Sequence, residues 1–144
     1  MAIPSSTAGP TTGPTTAPPT AAGRRGPTFV QVAVALQTLM ILFQATTAGL
    51  LLSTSYGGTL HGVGARVMYG ASMLYLLAAV LAWRPGGGPA RPVGYATGFL
   101  VLASVQVVLG VTHRPALHVP LGVLIFGLSV LDLGRCLTAA SRRT

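Results

Sequence analysis

Four apolar stretches, at about 29–52, 61–83, 93–111 and 116–133, fill nearly all of this chain beyond residue 27. Each is close to the ~20 residues that carry a helix across ~30 Å of hydrocarbon. Only 7% of the residues are charged and 51% are hydrophobic, whereas a soluble domain carries roughly 25% charge. The chain is therefore expected to fold in a lipid bilayer. The connections, 53–60, 84–92 and 112–115, are short, and short links force neighbouring helices to run antiparallel. The expected fold class is all-α, an integral membrane four-helix up-down bundle. Glycines and alanines inside the stretches let backbones approach closely, as membrane packing requires where no hydrophobic drive pulls helices together.

Two of the stretches open with the same pair, Leu60-His61 and Leu117-His118. Each pair is followed at matching offsets by a glycine, a serine and a leucine: Gly70, Ser72 and Leu74, then Gly127, Ser129 and Leu131. The preceding stretches correspond as well, with Gln44 and Gln106 each a few residues before a glycine, Gly49 or Gly110. The bundle thus reads as two related helical hairpins, which set two histidines at one depth. On a helix of 3.6-residue period, His61 shares a face with Ala65, Met68 and Ser72, and His118 with Gly122, Ile125 and Ser129. A small residue one turn below each histidine leaves room for the edge of a flat ring. Two inward histidines in an apolar bundle are the simplest holder of a haem iron. The competing reading is a pair of interfacial histidines that bond only water or headgroups. His61 and His118 are accordingly the candidate metal ligands and cofactor-binding residues, with haem b as the candidate cofactor. Arg66 bears on the choice. If it marks the membrane edge, the second span starts near Val67 and His61 lies outside the bundle; if it snorkels outward or pairs with a haem propionate, His61 begins the helix.

The net charge of +8 comes from nine arginines against one acid, Asp132, with neither lysine nor glutamate. The arginines sit at the ends of apolar stretches, where they orient helices and meet anionic headgroups. No basic run is interleaved with aromatics, so nucleic acid is not an expected partner. Arg24, Arg25, Arg84, Arg91, Arg135, Arg142 and Arg143 fall on one side, and only Arg66 and Arg114 on or towards the other. The positive-inside rule then predicts a multi-pass protein of the cell membrane with both termini cytoplasmic and the Leu-His pairs towards the outer face. Trp83 and Tyr95 would belong to the inner aromatic belt and Tyr56 to the outer. Residues 1–27 are a run of Pro, Thr, Ala and Gly without large side chains to offset the entropy of ordering. The expected organisation is a disordered cytoplasmic tail at 1–27, the bundle at 28–135 and a basic cytoplasmic tail at 136–144.

Few groups are available for chemistry. The sequence holds no nucleotide loop, metalloprotease pair, nucleophile elbow or zinc spacing, and an enzyme is not expected. Cys136 is the single cysteine, which excludes an intrachain disulfide. Asp132 lies close to the inner end of the last stretch, and Arg135 three residues later predicts a local pair. Gln37 and Gln44 share a face of the first helix and predict bonds across helices. His113, in the 112–115 turn, predicts a solvated loop residue.

The segment 105–129, with "VQVVLG", a short loop and "LHVPLGVLIFGLS", resembles one four-helix half of the haem A synthase family. The likeness extends over roughly 29–135 and to small four-helix bacterial membrane proteins with the same two histidines. It implies a histidine near the outer end of the second and fourth helices, here His61 and His118, facing each other across a haem. A complete synthase has two such halves and this chain has one. It also lacks the acidic residue that the resemblance associates with the first outer loop. The resemblance therefore carries a single haem b site, for electron transfer or haem handling, and not the synthase reaction. The alternative class is a non-catalytic accessory or interaction subunit whose bundle presents surfaces to a membrane protein partner or to a second copy of itself.

Overall fold

The computed structural model describes residues 28–141. The tail at 1–27, and with it Arg24 and Arg25, lies outside the described residues, as do Arg142 and Arg143. Among the described residues there are four helices and no strand: α1 (Phe29–Ser53), α2 (Gly57–Trp83), α3 (Arg91–Val111) and α4 (Pro115–Ser141). All four are long and apolar enough to cross a membrane. Helix α1 starts on a capping box, in which Thr28 Oγ1 accepts the Gln31 backbone N–H at 3.3 Å and Gln31 Oε1 accepts that of Thr28 at 2.7 Å. Helix α3 carries Pro92 in its first turn and α4 opens on Pro115, positions where the missing N–H has no helical partner to lose.

Two boundaries differ from those the hydropathy suggests. Helix α2 begins at Gly57, four residues ahead of His61, so the first turn is only Thr54, Ser55 and Tyr56. A Cβ at Gly57 would collide with the backbone of Leu50 and Leu51, and only glycine lets α2 start so close to the end of α1. Arg66 therefore does not mark the start of the second helix. The C-terminal tail assigned to 136–144 is helical as far as Ser141. The apolar run stops near Leu133, but no proline follows to end the helix. Gln31 Nε2 also donates to the Cys136 carbonyl at 3.0 Å, which ties this turn to the start of α1.

The helices form a closed square in which α1 touches α2 and α4, and α3 touches α2 and α4. Helices α2 and α4 are diagonal. Much of the core is alanine, with Ala33, Ala71, Ala78, Ala79, Ala96 and Ala103 all buried, and small residues are what permit this close approach. Large apolar side chains such as Leu39, Phe43, Val101 and Val123 face outward. A solvent of hydrocarbon explains that inversion, and the molecule is a small multi-pass membrane protein.

The interior is layered. Gln44, Thr47, His61, Gln106 and His118 lie at the end that carries the α1–α2 and α3–α4 turns. Ile41, Met68 and Ile125 follow as an apolar belt, and Gln37, Thr38, Ser72, Tyr75, Ser129 and Asp132 make a second polar layer nearer the chain termini. In that layer Thr38 Oγ1 reaches the Ser129 carbonyl at 3.3 Å. Among the described residues the expected Asp132–Arg135 pair is not a direct ion pair, although the Arg135 charge still acts on the Asp132 carboxyl. Asp132 is 3% exposed and accepts a 2.7 Å hydrogen bond from the Tyr75 hydroxyl across the diagonal, while the Arg135 guanidinium lies 5.6 Å from the centre of the Tyr95 ring. The carboxylate points to the bundle axis, and the arginine turns outward to an aromatic face. Gln44 bonds across to α2, as its position predicts, but Gln37 is 0% exposed and neither of its amide atoms has a hydrogen-bond partner among the described residues. An unsatisfied buried amide costs about 1–3 kcal/mol. Gln37→Leu is therefore expected to raise the unfolding midpoint in detergent, and a fall in that midpoint would show that the amide contributes to stability.

Candidate functional site

The fold brings the two predicted site residues together. His61 and His118 face each other across the diagonal with ring centres 6.2 Å apart and ring planes at 69°. Both line one cavity of about 190 Å³, together with Gln44, Ala65, Met68, Gln106 and Gly110. His113 takes no part: it is an exposed residue of the α3–α4 turn with φ of 53°.

Each histidine is fixed by the helix before it, and in a parallel manner. Gln44 Nε2 donates to the His61 carbonyl at 3.0 Å, and Gln106 Nε2 to the His118 carbonyl at 2.7 Å. The ring tautomers follow from the remaining partners. His118 Nδ1 lies 3.0 Å from the Gln106 carbonyl, which can only accept, so Nδ1 carries the proton and Nε2 keeps its lone pair. His61 Nδ1 lies 3.2 Å from Thr47 Oγ1, whose own proton is donated to the Gln44 carbonyl at 3.0 Å. The hydroxyl oxygen therefore accepts, and His61 is protonated on Nδ1 as well. Among the described residues His61 Nε2 accepts from the Gln44 amide at 3.3 Å. Both rings thus carry the proton on Nδ1 and a lone pair on Nε2, a tautomer that metal-bound histidine often takes, with the His61 lone pair directed to the Gln44 amide.

Glycines make room for these supports. A Cβ at Gly64 would collide with Gln44 Oε1, and one at Gly122 would stand 2.9 Å from Gln106 Nε2. Gly122, expected to leave space for a flat ring edge, instead accommodates the amide that holds His118, whereas Ala65 does line the cavity. Gly122→Ala is therefore expected to push the Gln106 amide off the His118 carbonyl and lower stability by about 1 kcal/mol. At Gly127, where a Cβ meets nothing within 4 Å, the same change is expected to stabilise the helix by up to about 1 kcal/mol. Equal responses in a thermal unfolding assay would contradict this account. Thr47, on α1, escapes a reading of the histidine helices alone, and Gly64, on α2, escapes a count of the face that His61 shares with Ala65, Met68 and Ser72. Their signal is the spacing of Thr47 three residues after Gln44, and of Gly64 three residues after His61.

No family model, curated protein or solved structure matches the chain. The function must be argued from the site itself. Among the described residues no group of three or more His, Cys, Asp or Glu side chains gathers anywhere.

Proposed function

We propose that this membrane protein binds one haem b through His61 and His118, for electron transfer or haem handling near the outer face. The observation that carries the reading is the pair of histidine rings across one cavity, each with a hydrogen-bonded Nδ1. In a bis-imidazole site each ligating nitrogen is ~2 Å from the metal, and a further ~1 Å to each ring centre gives about 6 Å between centres, against 6.2 Å here. Two protein ligands are too few for a bare zinc ion, which takes three or four. They suit a metal whose equatorial positions are already filled by a macrocycle. Bound there, haem b would supply a one-electron redox couple. His61 and His118 would hold it, Gln44, Thr47 and Gln106 would fix their tautomers, and Met68 and Val107 would shield the site with apolar surface. The resemblance to one half of the haem A synthase family points to the same two residues.

The test is a visible spectrum of the purified full-length protein after titration with haem b. The sharp bands of a reduced bis-imidazole haem are expected, with one haem per chain. Their absence would leave the accessory-subunit reading, in which the bundle serves only to contact another membrane protein or a second copy. The arginine distribution supports both termini being cytoplasmic in the cell membrane. A reporter fused after Thr144 is expected to be active only on the cytoplasmic side, and activity on the other side would invert the topology.

A further inference from the structure

The cavity between the histidines is smaller than the group proposed for it. Cofactor-sized ligands occupy clefts of roughly 300–1,000 Å³, and this one measures about 190 Å³. A second space of about 570 Å³ adjoins it between α2 and α3, with Arg66, Tyr69 and Ser104 on its walls. Ala65, Val107 and Val111 border both spaces. A flat ring held between His61 and His118 cannot extend through the α1–α2 seam, which the Gln44 and Thr47 bonds to His61 close, nor through the α3–α4 seam, which Gln106 and His118 close. The α2–α3 seam, by contrast, holds a groove that borders the histidine cavity. Within that groove Tyr69 Oη and Ser104 Oγ are engaged with each other at 3.1 Å, and the remaining charged group is the exposed guanidinium of Arg66. An arginine inside an apolar span is costly and marks a functional group by default. Its planar fork matches a carboxylate in two parallel hydrogen bonds.

We propose that the α2–α3 groove is the port through which the tetrapyrrole enters from the lipid, and that Arg66 binds its propionate carboxylates there. This rests on the haem reading of the histidine pair. In the full-length protein, haem b is compared with its dimethyl ester, in which both propionates are capped. The parent is expected to bind the ester at least about tenfold more weakly, as for loss of a charge-assisted pair. Arg66→Gln is expected to bind both forms equally, at the parent's affinity for the ester. A second variant probes the groove itself. A Cβ at Gly62, which also lines the groove, meets nothing within 4 Å, so Gly62→Phe adds a ring beside the groove from an open position on the helix. It is expected to weaken haem binding at least tenfold at an unchanged unfolding midpoint of the unloaded protein. Gly70→Phe, equally open but lining neither space, is expected to bind as the parent does. If the histidine-dependent bands persist but the parent does not discriminate between haem and ester, or Arg66→Gln still does, the groove assignment fails while the haem reading stands. Unchanged haem binding by Arg66→Gln, with less anionic phospholipid copurifying, would assign the groove to a lipid headgroup instead. No absorption with either form overturns both proposals.

Discussion

Replacing His61 or His118 by alanine is expected to abolish the bis-imidazole spectrum, and replacing both to abolish haem binding. Either single variant keeps one of the two proposed ligands, so residual binding with altered bands is the expected result for each. The flanking residues should respond in a graded way. Thr47→Val removes the acceptor of the His61 Nδ1–H, and Gln44→Leu removes the amide that holds the His61 carbonyl. Loss of such supporting groups weakens metal binding by about 10–100-fold, so both variants should keep the band positions and lose affinity. If the alanine variants absorb like the parent, the ligands lie elsewhere and the site assignment is wrong. If Thr47→Val and Gln44→Leu bind as tightly as the parent, the hydrogen bonds are structural only.

The spans and the meeting of the two histidines were legible because each depends on periodicity. Hydropathy gives helix lengths, short links give antiparallel order, and matching offsets place His61 and His118 at one level. The hydrogen bonds that fix the rings depend on contacts between helices, which periodicity does not encode. The bond of Thr47 to His61 requires α2 to start at Gly57, four residues before the apolar run becomes obvious. The weak helix formers Gly57, Gly58 and Thr59 hide that start, and only the close approach of Gly57 to the end of α1 explains it. The partner of Asp132 was misjudged for a related reason. Sequence spacing singles out Arg135 because it is local, but a bundle offers Asp132 a partner across the diagonal, Tyr75, that is 57 residues away in the chain. Arg66 had two readings that sequence left open. The fold sets His61 inside the bundle, with α2 already under way before it reaches Arg66.

Tyr75→Phe is expected to destabilise the bundle by about 2–3 kcal/mol, because it leaves the buried Asp132 carboxyl without its hydrogen-bond donor. The partner change is asymmetric. Asp132→Asn keeps an acceptor oxygen in place and should cost much less, whereas the double variant Tyr75→Phe/Asp132→Leu replaces both members by apolar groups and should recover most of the parent's stability. Equilibrium unfolding in mixed micelles measures all three. A double variant no more stable than Tyr75→Phe alone would show that the pair contributes more than mutual satisfaction. The same variants also test how far the two polar layers depend on each other. Along α4, Asp132 lies roughly 21 Å from His118 at 1.5 Å per residue, with the Ile41, Met68 and Ile125 belt between the layers. Sites more than about 10 Å apart without shared partners respond additively. Tyr75→Phe should therefore lower stability while leaving haem affinity and band positions unchanged. A loss of both together would mean that the diagonal tie near the termini sets the spacing of the histidines at the other end.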